Sequence, residues 1–183
     1  MFELALYILD ISQNSVAAAA KHIDITVSAD TARDILSVTI KDDGKGMDGE
    51  FLAKVTDPFT TSRTTRKVGM GLPLFKMEAE KTGGSFSVTS EVGKGTVVNA
   101  NFVLSSVDRL PLGDLGSCMS VLIAGGGYET TLRFSVDDRT YIFDTAQIKR
   151  ELGADDLSEP VVVNYLEAMI DENIQSVKKG VYL

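Results

Sequence analysis

Alternating hydrophobic and polar positions occur in four short segments of the chain, and these segments fall into two pairs. Residues 23–29 and 35–41 alternate and are rich in Ile, Val and Thr, which predicts two strands joined by a polar turn. Residues 85–90 and 96–104 alternate in the same way and predict a second pair. The strands in this part of the chain are therefore expected in two pairs.

Segments with helical periodicity accompany these strand pairs. Residues 2–21 carry an apolar face and a run of alanines, which favour a helix. Asp48 is placed to cap a short helix that ends at about Val55. Residues 71–81 predict a further helix, and Gly83 marks its end.

The tail of the chain predicts a hairpin with further elements around it. Residues 119–124 predict a strand. Residues 130–136 and 139–143 predict a hairpin that turns at Asp137 and Asp138. We expect these strands to belong to a unit that follows the first two strand pairs.

Two helices are predicted after the hairpin. The first begins at about Thr145 and ends at Gly153, and the second runs from Glu159 to Lys179 with Ser158 as its cap. The second helix carries an apolar stripe, which either packs against the tail hairpin or contacts a protein partner or a second copy of the chain. Its members are Val162, Tyr165, Leu166, Met169, Ile170, Ile174 and Val177.

The composition is that of a folded, acidic protein. The 183 residues include 44% hydrophobic residues and carry a net charge of -8, so we expect a packed core and disfavour a broad nucleic-acid surface. A single cysteine, Cys118, rules out an intramolecular disulfide, which favours a reducing, cytoplasmic setting. No apolar run approaches the ~20 residues that cross a bilayer, so neither a membrane span nor a signal peptide is expected.

The acidic excess is uneven along the chain. It lies mainly after the segment 110–114, whose Pro and Gly residues are typical of a linker. This shift predicts one domain over residues 1–104 and a small acidic α+β unit over residues 105–183.

Two polar residues on the first helix form the first candidate for chemistry. Asp10 and Asn14 stand at positions i and i+4, so both side chains point from one face. The Asn14 amide oxygen is a hard ligand suited to Mg²⁺, and the Asp10 carboxylate could orient a water or a hydroxyl for attack. The alternative is a polar stripe on an amphipathic helix.

A glycine-rich segment directly follows a predicted strand. Residues 42–47 read DDGKGM, and two glycines one residue apart let the backbone turn tightly and approach a ligand. A carboxylate at the strand end, Asp42, can accept a hydrogen bond from the amine of adenine. The alternative is an ordinary Asp-Gly turn. A dinucleotide fingerprint over Gly44, Gly46 and Gly49 is rejected, because neither an acid nor a strand lies about 20 residues on.

A polar loop and a second glycine pair precede the next helix. Residues 57–67 read DPFTTSRTTRK, and residues 68–72 read VGMGL. Backbone N–H groups at the start of the helix can hold phosphate. The loop could therefore close over a triphosphate, or it could be an ordinary solvated loop. A further turn, 93–96, reads GKGT and opens a strand; its Thr96 hydroxyl could reach a base or a water.

These four features, in this order, resemble the GHKL superfamily of ATPases, which includes gyrase, the heat-shock chaperone, histidine kinases and mismatch-repair ATPases. The resemblance covers about residues 4–104. It implies a two-layer α/β sandwich, with helices on one face of a mixed sheet and Mg-ATP between helix and sheet. The tail is similar to that of small stand-alone ATP-binding proteins of anaerobic bacteria.

The resemblance also implies roles for individual residues. Asn14 would hold Mg²⁺, Asp42 would bind adenine, and Thr96 would support that contact. Asp10 stands where hydrolytic members commonly have Glu, one methylene longer. Residues that would line the base are Gly44, Gly46 and Met47; those that would meet the phosphates are Gly69, Gly71 and Leu72; lid contacts would be Thr61 and Arg63.

Two functions from different classes remain open at this point. The first is a Mg-ATP-binding enzyme that hydrolyses ATP or phosphorylates a partner protein. The second is a regulatory protein whose ATP state alters a protein contact without turnover, in the manner of an anti-sigma switch. A purely structural α/β protein, in which the glycine loops are only turns, is a third alternative. The partners expected are ATP and a protein or a second copy of the chain.

Overall fold

The computed structural model describes residues 3–56 and 70–183. Its six strands are β1 (His22–Asp30), β2 (Ile35–Asp42), β3 (Ser85–Glu91), β4 (Gly95–Val103), β5 (Glu129–Val136) and β6 (Arg139–Asp144). They form one sheet with the order β3-β4-β2-β1-β5-β6. Both predicted strand pairs and the tail hairpin are confirmed.

Six helices accompany the sheet in the described residues. They are α1 (Leu4–Ala17), α2 (Gly49–Leu52), α3 (Gly71–Lys81), α4 (Leu115–Gly125), α5 (Thr145–Leu152) and α6 (Pro160–Lys178). Strand β1 runs antiparallel to β2 and parallel to β5, so the sheet is mixed. The predicted fold class is confirmed.

The two faces of the sheet differ in chemistry. Every second residue of β1 is buried, and the same alternation continues through β2 and β5, so one face packs against helices while the other meets solvent. The solvated face carries short hydroxyl and amide side chains in register. One row of them across five strands consists of Ser135, Ser28, Ser37, Asn101 and Ser85.

The core lies between the apolar face and the helices. Helix α3 packs on β3 and β4, α6 packs on β5 and β6, and α4 lies between α1 and α6. The ring of Phe75 stacks on Tyr7 at a centroid distance of 5.5 Å and contacts Phe102 at 5.5 Å. These ring contacts join α1, α3 and β4, and all three side chains are almost fully buried.

The tail joins the same sheet as the rest of the chain. Residues 22–29 of β1 pair in register with residues 129–136 of β5. Buried side chains from both parts form one hydrophobic cluster. The division into units at residue 104 stays a prediction, and the sheet and the core continue across it.

The prediction of a strand over residues 119–124 is wrong, because this segment belongs to α4. Asp114 caps the helix by accepting a hydrogen bond from the N–H of Ser117, and Gly126 follows its end with φ of 60°. Most of α4 is buried against α1 and α6. A helix buried on several sides has no polar stripe, so its sequence resembles that of a buried strand.

The predicted cap of the last helix is also wrong. Glu159 holds the N-cap position without a side-chain bond, whereas the Ser158 hydroxyl donates to Asp156. The buried stripe of α6 includes Leu166 and Ile170, which pack in the core, but Tyr165 is 69% exposed. Helix α6 as a whole contacts α4, β5 and β6, and these two central residues of the stripe are buried in the core. Within the described residues, no helix has the length and apolar character needed to cross a membrane.

Candidate nucleotide-binding site

The end of β2 places the Asp42 carboxylate in a buried position, with 8% of the residue exposed. The Ser15 hydroxyl donates to Asp42 Oδ2 at 2.6 Å, and the N–H of Gly44 donates to Oδ1 at 2.9 Å. Gly44 itself packs tightly on the end of α1, since a Cβ there would lie 2.9 Å from the Ala18 Cβ. Both carboxylate oxygens are thus fixed by protein donors.

Two glycines let the loop and the β3–β4 turn approach each other. Gly46 has φ of 65°, and a Cβ there would lie 2.0 Å from the carbonyl oxygen of Glu91. Gly95 has φ of 104°, and its Cβ would lie 2.0 Å from the carbonyl oxygen of Asp42. Only glycine combines this backbone conformation with this packing.

Backbone hydrogen bonds attach the glycine loop to its neighbours on both sides. The N–H of Lys45 donates to the Ala18 carbonyl at 3.0 Å, and the N–H of Gly93 donates to the Lys45 carbonyl at 2.8 Å. The N–H of Met47 donates to the Ser90 hydroxyl at 2.8 Å. The loop is therefore held between the end of α1 and the β3–β4 turn.

Thr96 lies opposite Asp42 in the register of β4 and β2. Its hydroxyl is 2.9 Å from the Ser90 hydroxyl, which also donates to the Gly95 carbonyl at 2.9 Å. The structure therefore places Thr96 beside Asp42 on adjacent strands and gives its hydroxyl a partner in Ser90. Its predicted support of the adenine contact stays a prediction.

The second part of the candidate site lies where α1 meets α3. The Oδ2 atom of Asp10 is buried and accepts no hydrogen bond from the described residues. Burial raises the pKa of this carboxyl above its usual value. A Cβ on Gly71, the first residue of α3, would lie 1.9 Å from Asp10 Oδ2. The structure thus brings Asp10 and Gly71 together, with buried Leu72 next in the helix.

Asn14 lies one turn after Asp10 on α1 and is half-buried. Its side-chain amide, which makes no hydrogen bond to another described residue, carries one oxygen acceptor. Together with the unpaired oxygen of Asp10, it offers the hard oxygen donors that suit Mg²⁺. The predicted contacts Thr61, Arg63 and Gly69 lie outside the described residues.

Sequence reasoning missed three residues that shape this site: Ser15, Ser90 and Asp43. The Asp43 carboxylate accepts from the N–H groups of Lys21 and His22 at 2.6 and 2.9 Å, and its Oδ2 is 2.7 Å from His22 Nδ1. This hydrogen bond raises the pKa of His22 and lowers that of Asp43 to about 2. Their signals are weak in sequence, because each partner is distant along the chain or is a backbone group.

Comparison with known proteins agrees with this geometry. Residues 3–106, more than half of the chain, match the family described as "Histidine kinase-, DNA gyrase B-, and HSP90-like ATPase". The chain therefore belongs to this family, the GHKL ATPases.

The relatives with similar sequences are sensor proteins. The chain is 31% identical over 108 residues to a "Putative sensor protein" of Shewanella frigidimarina, which covers 58% of this chain and 16% of that protein. It is 47% identical over 79 residues to "Sensor protein SrrB" of Staphylococcus aureus, which covers 40% of this chain and 13% of that protein. The chain thus spans a small part of the length of these curated relatives.

A solved structure shares the fold. The "Crystal Structure of N terminal domain of a DNA repair protein" aligns with a TM-score of 0.54 at 15% identity, over 78% of this chain and 52% of that chain. At this identity the likeness concerns the fold alone. Membership of this ATPase family supports ATP binding by the chain.

Proposed function

We propose that this protein binds Mg-ATP between α1 and the ends of β2 and β4, and that it hydrolyses ATP or transfers its phosphate to a partner protein. The observation that carries the proposal is the Asp42 carboxylate, which is held by two hydrogen bonds. Near it, three glycines pack so closely on their neighbours that a side chain would not fit: Gly44, Gly46 and Gly95. These features match the family's motifs in position and in order. The family itself implies the nucleotide.

Asp42 is the acceptor for the amine of adenine in this proposal. A carboxylate has about four acceptor directions, and the Ser15 and Gly44 donors use two of them. The remaining directions can accept from the amine, whereas the carbonyl of guanine offers no donor at this point. Gly44, Gly46 and Met47 line the base, and Thr96 supports the contact from the neighbouring strand.

In this proposal the phosphates lie toward the start of α3. The N–H groups at the start of α3, from Gly71 and Leu72, can donate to phosphate oxygens, and the helix dipole adds to the attraction. Asn14 would hold Mg²⁺, which neutralises phosphate charge when it is bound. Thr61, Arg63 and Gly69, which lie outside the described residues, complete the proposed set.

Asp10 is the proposed general base or positioning carboxylate. It lies beside Gly71, and its buried oxygen is free to accept from a water or from a hydroxyl of a partner protein. Its raised pKa makes the ionised form a stronger base than an exposed aspartate. The acceptor of the phosphate would be water, or a Ser, Thr or His residue of the partner.

A second candidate function is regulation by bound ATP without turnover. Asp10 carries one methylene fewer than the glutamate of hydrolytic members, and it is close to Gly71, which limits its reach. In this case, nucleotide binding would alter contact with a protein partner or a second copy of the chain. The single buried cysteine is consistent with a cytoplasmic setting for either function.

The experiment that tests the proposal combines calorimetry with a phosphate assay. We expect heat of binding for Mg-ATP and a weaker signal without Mg²⁺; absence of binding at millimolar nucleotide would contradict the proposal. Incubation with γ-labelled ATP and host extract then identifies a labelled protein or released phosphate. Asp10→Asn should abolish the label while ATP still binds. If partner regulation survives in that variant, the second candidate is correct.

A further inference from the structure

A buried serine on α1, which the motifs do not assign, contacts the proposed base-binding carboxylate. Ser15 is 3% exposed, and its hydroxyl donates to Asp42 Oδ2 at 2.6 Å across 27 residues of sequence. A bond between a hydroxyl and a carboxylate of this length is short and charge-assisted. It is the only side-chain donor that the described residues supply to Asp42.

The contact joins the two parts of the site. Ser15 follows Asn14 directly on α1, whereas Asp42 ends β2. The backbone donor of Gly44 fixes the other carboxylate oxygen from within the same loop. Without the Ser15 hydroxyl, Oδ1 of Asp42 would keep its hydrogen bond from Gly44, but Oδ2 would lose its hydrogen bond to α1. The carboxylate could then rotate about its χ2 bond.

We propose that Ser15 is the positioning residue that sets the preference of this protein for adenine over 6-oxopurines. Its hydroxyl directs the Asp42 carboxylate so that the free acceptor direction meets the amine at position 6 of the base. This inference rests on the proposed function, because it concerns the same nucleotide. It adds a residue whose role is specificity and not catalysis.

The matched control lies on the same helix. Ser12 is fully buried, and its hydroxyl has no partner among the described residues. Ser12→Ala therefore removes a buried hydroxyl from α1 without touching Asp42. Ser15→Ala removes the contact, and Ser15→Thr keeps the hydroxyl.

The test measures the affinities of the full chain for Mg-ATP and for Mg-inosine triphosphate, which carries oxygen at position 6 instead of the amine. We expect Ser15→Ala to lower the ratio of the two affinities about three- to tenfold, the factor of one ordinary hydrogen bond. Ser15→Thr should restore the ratio toward wild type, and Ser12→Ala should leave it unchanged. If Ser15 had a purely structural role, Ser15→Ala would instead lower the affinities for both nucleotides by the same factor.

The possible failures are distinguishable. If wild type binds no ATP, the proposed function falls and this inference falls with it. If wild type binds ATP and Ser15→Ala keeps the wild-type ratio, only the inference is overturned. The same holds if Ser12→Ala changes the ratio equally, or if Ser15→Thr stays at the alanine value. Should Ser15→Ala unfold, as a thermal melt would show, Ser15→Cys replaces it with the same expected loss of preference.

Discussion

The glycine loop after β2 and the contact between α1 and α3 each place an aspartate carboxylate beside a glycine, but the two carboxylates differ in their hydrogen bonds. In the loop, both oxygens of Asp42 accept hydrogen bonds from the protein. At the helix contact, Asp10 has a buried oxygen without a partner in the described residues, and its pKa is raised by burial. One carboxylate is fixed before any ligand arrives, and the other keeps an acceptor free.

This difference indicates a division of roles. A recognition group gains specificity when the protein holds it in place, because less ordering is needed on binding. A group that handles protons must keep a free acceptor direction for the reacting molecule. Buried polar atoms without a partner are rare in folded proteins, so the oxygen of Asp10 calls for a functional explanation.

The largest expected effect concerns the fixed region. Gly46→Ala should lower the free energy of unfolding by roughly 2–4 kcal/mol, because its positive φ and the carbonyl of Glu91 exclude a methyl group. Gly49→Ala is the matched control, since nothing lies within 4 Å of a Cβ at that position. Urea unfolding of both variants provides the measurement. Equal stability of the two would show that the loop is not closely packed.

The next effect tests recognition by Asp42. Asp42→Asn should weaken Mg-ATP binding roughly 10- to 100-fold, the range for a hydrogen bond to a charged group, and should reduce the preference for ATP over GTP. Asp24→Asn, on the solvated face of β1, serves as the control and should bind as wild type does. Calorimetry with each nucleotide measures both quantities. An unchanged preference would remove Asp42 from its proposed role.

The region with the unpaired oxygen predicts the opposite sign for stability. The pKa of Asp10 is raised above its usual 3.8, so folding disfavours its ionised form and the cost is present at neutral pH. Asp10→Asn should therefore raise the free energy of unfolding at pH 7, and the gain should shrink as the pH falls toward 3.8. Urea unfolding across this range measures it. A loss of stability at pH 7 would mean that the carboxylate has partners after all.

The smallest expected effect concerns the exposed pair of His22 and Asp43. His22 is the one histidine of the chain, and its hydrogen bond to Asp43 raises its pKa above 6.5. The pair's contribution to stability is full between pH 3.8 and pH 6.5; it is lost as the pH rises through the raised pKa of His22, and as the pH falls through the Asp43 pKa of about 2. It should be small, because both side chains are exposed.

Proton NMR of the His22 ring measures this pKa directly. In Asp43→Asn the value should return toward 6.5. A wild-type value at or below 6.5 would contradict the contact.

The sequence predicted those parts of the fold and site that depend on neighbouring residues. The strand pairs follow from alternation, and the glycines of the loop follow from the turn they make. The contact between Ser15 and Asp42 was not predictable in this way, because it joins a helix and a strand 27 residues apart. The pairing of β1 with β5 is similarly non-local.

The errors also have physical causes. The sequence predicts a strand over residues 119–124 of α4, because the burial of this helix on several sides removes the polar stripe that marks a helix. The cap of α6 was assigned to Ser158, a residue type that favours caps, but its hydroxyl bonds Asp156 instead. Residue preferences do not tell whether the Ser158 hydroxyl bonds the start of α6 or the Asp156 carboxylate, since this choice depends on the path of the chain around Ser158.

The most direct test of the account is a crystal structure of the protein with Mg²⁺ and a non-hydrolysable ATP analogue. We expect the amine of adenine within hydrogen-bonding distance of Asp42, with Ser15 still bound to that carboxylate and Asn14 at the metal. A nucleotide bound elsewhere, for example against Ser37 and Asn101 in a pocket on the solvated face of the sheet, would contradict the account.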